Sequence, residues 1–253
     1  MRAVIYGKRT MKELLRDPLS YIFCLGFPMV MLMIMTMVYN SLPEEAGVAI
    51  FRIDNLAPGV AVFGLTFVML FTSLQVSKDR TTSFMTRLYA SPIKPADFIL
   101  GYTVPVIILS IAQQFITFAA AIIIGKITGV NLSLSGMLLC ILVLLPSAFM
   151  YIGFGILFGT LLSDKSAPGI CSIIITGAGM LGGIWMPVEM MGGTFLKVCE
   201  LLPFLPGVSV ARSTFLGDYN NFLKFLVEIL VYGVVLYFLA IIIFRRKMKS
   251  DQK

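Results

Sequence analysis

Six long apolar runs limit the fold of this chain more than any other feature. They lie at residues 18–43, 55–77, 98–125, 127–163, 166–188 and 222–244. A helix that crosses a bilayer needs about 20 mostly apolar residues, and each run is long enough to supply one. The chain is 58% hydrophobic, whereas about 45–50% is usual for a soluble domain. We therefore predict an all-α membrane protein with six transmembrane helices.

The distribution of basic residues predicts the orientation of these spans. We expect a single transmembrane domain over residues 1–253, with spans at about 18–41, 57–77, 98–124, 136–162, 168–188 and 222–244. An even number of spans places both termini on one side of the membrane. Fifteen of the 20 Lys and Arg residues then fall on that side. Because cytoplasmic segments carry the excess of Lys and Arg, both termini are expected to be cytoplasmic.

The sequence offers little with which the chain could do chemistry alone. It contains no His, the usual general base and the commonest metal ligand, and its four Cys form no C-x-x-C pair. The stretch "AIIIGKIT" at 121–128 lacks the first Gly and the final Ser or Thr of a phosphate-binding loop. We therefore expect no enzyme activity, and no cofactor or metal bound by this chain.

Two other function classes are disfavoured by the same reading. The net charge of +7 comes from basic residues at the ends of apolar runs, which indicates topology and not nucleic-acid binding. Carboxylates are almost absent from the runs, although ion-coupled carriers usually keep ionisable groups within the membrane. No internal repeat and no cleavable signal peptide is recognisable. The energy for any transport is expected to come from outside the chain.

Residues 2–16 are predicted to form an amphipathic helix on the inner membrane surface. Val4, Met11 and Leu15 share one helical face, with Leu14 on its edge. Four basic side chains flank that face: Lys8, Arg9, Lys12 and Arg16. Cations beside an apolar stripe suit an anionic lipid surface, although a plain basic flank to the first span remains an alternative. Asp17-Pro18 is expected to cap and start the first span.

A charged stretch, "SKDRTTSFMTRLYASPIKP" at 77–95, separates the second and third spans. On a helical wheel one side is apolar and is bordered by Arg80 and Arg87. Pro92 is expected to end this helix. A helix with such a stripe could bind in the groove of a partner protein, and it could equally lie on lipid headgroups. The short turn at 163–168 is expected to be either a second contact point or a connector.

The outer segment after the fifth span is long, and its prolines break it. "TFLKVCELL" predicts a short amphipathic helix, and "LLPFLPGVSVA" is apolar but too short to cross the membrane. Non-helical backbone within a bilayer must be buried in protein. We therefore predict a re-entrant segment over residues 189–212, on the side away from the termini.

Three stretches resemble the membrane-spanning subunit of type-2 ABC exporters, a family of drug, antibiotic and polysaccharide permeases. They are residues 8–34, 77–102 and 182–212. In the middle and most specific stretch, Asp79-Arg80, Leu88 and Ser91-Pro92 match the family pattern of an acid-Arg pair, a Leu and "SP". Lys78 stands where an acid is common, and Thr82-Ser83 where Gly-Thr is common.

The resemblance implies partners and an energy source. Residues 78–91 would be a coupling helix that docks on a separate ABC ATPase subunit, present in two copies, which holds ATP and Mg. A second permease copy, identical or related, would complete the transporter among the membrane lipids. The residues implied in ATPase docking are Asp79, Arg80, Phe84, Met85, Arg87, Leu88, Tyr89, Asp164, Lys165, Lys12 and Arg16.

The resemblance also implies a cargo route along the interface between two permeases. The predicted substrate path comprises Phe67, Phe71, Gln75, Thr176 and Met180. The predicted external gate comprises Pro187, Glu189, Pro203 and Pro206. An apolar lining favours a drug-like, antibiotic-like or lipid-like cargo, exported through the bacterial cytoplasmic membrane. Alternatives are export of a saccharide or lipid-linked glycan by the same fold, a stand-alone channel or secondary carrier, and a scaffold protein or membrane enzyme.

Overall fold

The computed structural model describes residues 2–43, 49–81, 95–219 and 221–250, and within these ranges the regular structure is entirely helical. A π-helical turn, Ile22–Gly26, joins α2 to α3, and a 3-10 turn, Ala49–Phe51, precedes α4. The helices are α1 (Arg2–Arg16), α2 (Pro18–Tyr21), α3 (Phe27–Ser41), α4 (Ile53–Thr81), α5 (Pro95–Ile127), α6 (Leu134–Val143), α7 (Leu145–Leu161), α8 (Ala167–Leu181), α9 (Val188–Met191), α10 (Gly193–Leu201), α11 (Phe204–Leu216) and α12 (Phe222–Ser250).

Four to six of these elements can cross a membrane, which confirms the prediction of an all-α membrane protein. The four continuous candidates are Pro18–Ser41, Ile53–Arg80, Asp97–Ile127 and Phe222–Arg246. Two bent pairs also qualify when each pair is taken as one span. In the first, α6 and α7 meet at 40°, and in the second, α10 and α11 meet at 84°. The sharper bend falls within the segment predicted to be re-entrant.

Three boundaries differ from the sequence prediction. The fifth span was expected over 168–188, but α8 has 15 residues and ends at Leu181. At 1.5 Å per residue it is shorter than the roughly 30 Å hydrocarbon core. The fourth span breaks at Leu144, because Pro146 in the first turn of α7 has no N–H with which to continue the ladder of α6. The second span was expected to end at residue 77 and a separate helix to begin at 78, but α4 continues without a break to Thr81.

Helix α1 has the predicted bounds but buries a different face. The buried side chains are Tyr6, Thr10 and Leu14, spaced four residues apart, whereas Leu15 is 59% exposed. They face α5, against which α1 packs. The close approach depends on glycine, because a Cβ at Gly101 would lie 2.1 Å from the Tyr6 ring. The packed stripe of α1 is therefore rotated from the predicted face: it includes Leu14, at the edge of that face, and leaves Leu15 exposed.

Helix α4 is the central element of the bundle. It contacts α3, α5, α7, α8 and α11. In its most apolar window 83% of residues are buried, compared with 22% in the first and last spans. Its closest neighbour is α7, where two glycines spaced by four residues lie against the α4 backbone. A Cβ at Gly155 or at Gly159 would come within 2.6 Å of a carbonyl oxygen of α4. Small residues at this spacing let two membrane helices approach closely.

Both ends of the chain lie at the same end of the bundle. Phe244, near the end of α12, stacks on Phe98 at a centroid distance of 4.1 Å, and Phe98 in turn stacks on Tyr6 of α1 at 5.6 Å. The end of α4 and the turn at 163–166 belong to this end as well. We call it the basic end, and we call the other, which carries α9 and α10, the distal end.

The α4–α7 contact predicts that Gly155→Val destabilises the protein. The added side chain meets the carbonyl oxygen of Met69 and the side chain of Thr72, and overpacking of this kind costs roughly 1–3 kcal/mol. Thermal unfolding in mild detergent measures the change. Gly177→Val is the matched control, since nothing lies within 4 Å of a Cβ built there. Equal stability of the two variants would contradict the close contact.

Candidate functional site at the basic end

The side chain of Asp79, in the last turn of α4, lies at the centre of the basic end. Only 3% of the residue is exposed. Its Oδ2 accepts a hydrogen bond from the Tyr102 hydroxyl of α5 at 2.5 Å and from the Tyr6 hydroxyl of α1 at 3.2 Å. Its Oδ1 accepts from Arg9 Nη2 of α1 at 3.0 Å. One carboxylate thus connects α4 to the next helix, α5, and to α1, about 70 residues earlier in the sequence.

Arg9 extends this cluster toward the surface. Its Nη2 lies 2.8 Å from Glu13 Oε1, one turn further along α1. The other oxygen of Glu13 accepts a hydrogen bond from the Gln75 side chain of α4. Glu13 and Gln75 therefore form a second link between α1 and α4, one turn away from Asp79.

The charge state of the α1 groups is stable near neutral pH. Burial opposes protonation of Arg9, but the carboxylates of Asp79 and Glu13 outweigh it and raise the pKa of Arg9. Burial, followed by the nearby charge of Asp79, raises the pKa of Tyr6. Arg9 therefore remains a cation and Tyr6 a neutral hydrogen-bond donor. Both side chains therefore donate hydrogen bonds to the buried carboxylate of Asp79.

Arg80, the next residue along α4, binds a different helix. Its Nη1 donates to the carbonyl oxygens of Gly159 at 3.0 Å and Leu162 at 3.3 Å, and also to that of Thr160. The last carbonyls of a helix have no partner within it, and a cation there also opposes the helix dipole. Arg80 therefore caps the end of α7.

Asp79 and Arg80 together fix the end of α4 to three other helices. Asp79 holds α1 and α5, and Arg80 holds α7. The stretch 82–94 follows directly. The final turn of α4, which leads into that stretch, is thus bonded to each of the other three helices. Among the described residues, no group of three or more His, Cys, Asp or Glu side chains is placed to hold a metal ion.

A cavity of about 880 Å³ opens beside this cluster. It is bounded by the second half of α1, the start of the first span and the last turns of α4, and Asp164 of the 163–166 turn reaches it. Five of the predicted site residues line it together: Phe71, Gln75, Arg16, Asp79 and Asp164. Residues predicted for docking and residues predicted for the substrate path thus meet at one place.

The predicted docking residues fall into three groups. Lys12 and Arg16 on α1, and Asp164 and Lys165 in the 163–166 turn, are exposed at the basic end. Asp79 is too buried to contact a partner directly, and its donors within the chain explain why a carboxylate is stable there. Arg80 contacts α7. The remaining residues lie outside the described ranges: Phe84, Met85, Arg87, Leu88 and Tyr89.

The structure separates the predicted path residues into two sets. Phe67 packs on Phe27 of the first span at 5.1 Å, while Phe71 and Gln75 continue the same face of α4 to the cavity. Thr176 and Met180 are exposed on α8 and do not line that cavity. Within one chain, the five residues surround no single space.

The predicted gate residues all lie in the distal segment. Pro187 and Pro203 each precede a helix, Glu189 is exposed on α9, and Pro206 is buried in the first turn of α11. In this segment the sequence analysis counted Arg212 only as an outer charge. The structure shows its Nε donating to the Asn55 carbonyl oxygen at 3.1 Å, which ties α11 to the start of α4.

Sequence reasoning missed most of the cluster around Asp79. Tyr6 and Tyr102 were assigned no role, and Arg9 was predicted to flank the apolar face of α1 at an anionic lipid surface. One feature of the sequence indicated the cluster: Glu13 is the sole acidic residue among the basic residues of 2–16. An isolated acid one turn from an Arg is typical of a helical ion pair.

Comparison with known proteins identifies a family. A family described as "ABC-2 type transporter" matches residues 3–216. The matched range begins in α1 and ends at the last residue of α11, so it contains the whole cluster around Asp79. No curated protein matches the chain.

The cluster predicts that Asp79→Ala destabilises the basic end. The substitution leaves the hydroxyl of Tyr102 buried without its acceptor, and a loss of this kind costs roughly 1–3 kcal/mol. Tyr102→Phe removes one donor and is expected to cost about 1 kcal/mol. Unfolding in mild detergent measures both. Asp164→Asn, at an exposed carboxylate, is the control and is expected to leave stability unchanged. If Asp79→Ala behaves like this control, Asp79 does not hold the three helices.

Proposed function

The chain belongs to the ABC-2 type transporter family and is the membrane-spanning part of an ABC transporter, and from this premise we propose that it is an exporter energised by a separate ATPase subunit. The ATPase binds at the basic end, which faces the cytoplasm of a bacterial cell. ATP and Mg are held by that partner. Two permease copies and two ATPase copies form the complete transporter.

The observation that carries this proposal is the attachment of the last turn of α4. The stretch 82–94 links α4 to α5, and the turn before it is bonded to α1, α5 and α7 through Asp79 and Arg80. An ATPase that pushes on this stretch acts on four helices at once. A stand-alone channel or carrier has no need of such a coupled attachment.

Exposed charges at the basic end support the docking of a soluble partner. Lys12 and Arg16 of α1, Lys78 of α4, and Lys165 of the 163–166 turn are exposed there. The same basic excess supports the cytoplasmic orientation, since Lys and Arg accumulate on that side of membrane proteins. The proposed cargo is a hydrophobic or amphipathic compound such as a drug, an antibiotic or a lipid-like molecule.

Purification of the chain from its native membranes in a gentle detergent tests the proposal. We expect an ABC ATPase to copurify and the preparation to hydrolyse ATP. Isolation of the chain alone from several detergents, together with gradient-driven flux in proteoliposomes without ATP, would contradict the proposal and favour a carrier.

We predict that Arg80→Gln uncouples the complex without dissociating it. The amide replaces a cation that binds the end of α7, so the push on the 82–94 stretch reaches α7 less effectively. Coupling free energies of 1–3 kcal/mol are typical, so transport-linked ATP hydrolysis is expected to fall about fivefold or more. The measurement is cargo-stimulated ATPase activity in proteoliposomes.

Arg52→Gln is the matched control, because Arg52 lies at the distal end and pairs with Asp54 at 2.6 Å. Leu88→Asp, on the apolar stripe of the coupling stretch, is expected to reduce ATPase binding itself. The account is wrong if Arg80→Gln and Arg52→Gln have the same activity.

A further inference from the structure

The lining of the cavity at the basic end changes from apolar to charged along its length, and this pattern indicates the chemical class of its ligand. We propose that it is a binding site for an amphiphile with a cationic head, an amine or a quaternary onium group, which is taken up from the inner leaflet. The proposal deepens the export function argued above, because it names the class of compound that the permease receives first. It also rests on the inner orientation of the basic end.

One face of α4 runs along the cavity and changes from apolar to charged. Phe71, Leu74, Gln75, Lys78 and Asp79 line it in that order, at the i, i+3, i+4 spacing of a single helical face. At 1.5 Å per residue, this face extends about 12 Å along the helix. It is apolar toward the middle of the membrane and charged toward the basic end. An amphiphile within a leaflet has the same polarity at the same depths.

The charges that line the cavity favour a cation over an anion. Arg9 is shared between Asp79 and Glu13, so this trio carries one net negative charge. Asp79 is buried beneath three donors, whereas the side chain of Glu13 is 36% exposed. Glu13 accepts from Arg9 through one oxygen and from Gln75 through the other, but it is the more exposed carboxylate of the trio, so a cation that enters the cavity meets the surplus negative charge there. A cationic head at this position gains an ion pair while its body lies on Phe71 and Leu74.

The carboxylates and cations nearer the surface largely balance. Asp17 accepts hydrogen bonds from Leu19 N and the Ser20 hydroxyl, as the cap of the first span. The exposed Arg16 and Lys78 face the carboxylates of Asp17 and Asp164 across the same cavity. These groups leave Glu13 as the position where a cation is favoured most. Asp164 adds a weaker, more solvated attraction.

The volume fits a compound of drug size. Sites for such ligands usually occupy about 300–1,000 Å³, and this cavity is about 880 Å³. Thr176 and Met180 lie elsewhere, on the exposed face of α8, so the cavity is separate from a route along α8. It is suited to a first binding step, before the cargo reaches any route between two permeases.

Two ions of equal shape and opposite charge test the proposal. The full-length chain is placed in nanodiscs of phosphatidylglycerol, and binding of labelled tetraphenylphosphonium and tetraphenylborate is measured above empty nanodiscs. We expect saturable binding of the phosphonium, and for the borate only the partitioning seen in empty discs. Saturable binding of both ions with similar affinity, or of neither ion, would overturn the proposal.

Carboxylate variants locate the site. Glu13→Gln is expected to weaken phosphonium binding about tenfold, as befits loss of an ion pair in a partly solvated position. Glu13→Asp is expected to restore most of the affinity. Asp164→Asn, in an exposed turn, is expected to weaken binding about twofold because its charge is more solvated. Glu228→Gln removes a carboxylate of α12 at the distal end and is the matched control. If all variants bind like the control, the cavity is not the site.

The natural source of the cationic head is distinguished by lipid composition. If the site takes the head of phosphatidylethanolamine, adding this lipid to the nanodiscs lowers the apparent phosphonium affinity. If the site takes a free amphiphilic compound, the affinity is unchanged. The binding assay contains neither ATP nor an ATPase. A negative binding result therefore does not contradict the export proposal. Failure of an ATPase to copurify likewise does not contradict the binding site.

Discussion

A carboxylate buried at the end of a membrane helix must be compensated by donors, and this requirement organises the basic end of the protein. Asp79 has two oxygens and receives three hydrogen bonds from Tyr6, Arg9 and Tyr102. An unpaired charge in that position would be strongly destabilising. The compensation therefore requires α1 to lie against α5 at the level where α4 ends. The position of the N-terminal helix follows from this one group.

Close packing at glycines allows Asp79 and Arg80 to reach their partners on the neighbouring helices. Tyr6 reaches Asp79 because Gly101 leaves room for its ring against α5. On the other side of α4, Gly155 and Gly159 allow α7 to approach until its C-terminal carbonyls come within reach of Arg80. The apolar spans thus place the polar groups, and the polar groups in turn fix the relative positions of the helix ends. The cavity beside α4 lies between these attachments, so a ligand bound in it would contact helices that the ATPase is proposed to move.

The sequence predicted the helical membrane fold because apolar runs of about 20 residues have few other solutions. Asp17-Pro18 was predicted correctly as a cap, since that signal is local: the Asp17 side chain accepts from the N–H of Leu19, and Pro18 begins α2. The broken fourth span was missed, although Pro146 in a long apolar run was a local sign of it. The short fifth span was missed because apolar residues continue past the end of α8.

The site was predicted only in part, because its members come from separate regions of the chain. Asp79 and Arg80 were singled out by the family resemblance, but their roles depend on partners about 70 to 80 residues away. The apolar face of α1 was assigned to Val4, Met11 and Leu15 with Leu14 on its edge, yet the polar side chains of Tyr6 and Thr10 are buried beside Leu14. Their burial results from the ion cluster and from Gly101, and hydrophobic spacing within α1 contains no information about either.

The central claim is that Asp79 joins α1, α4 and α5 into one unit that moves together when ATP is bound. Double electron–electron resonance between spin labels at Leu15→Cys and Leu100→Cys tests it most directly, because both positions are exposed and all four native cysteines are buried. In the complex with its ATPase, we predict one narrow distance distribution that is the same with and without trapped ATP and that broadens in Asp79→Ala. A distance in the unsubstituted cluster that shifts by several ångströms on ATP binding would contradict the claim.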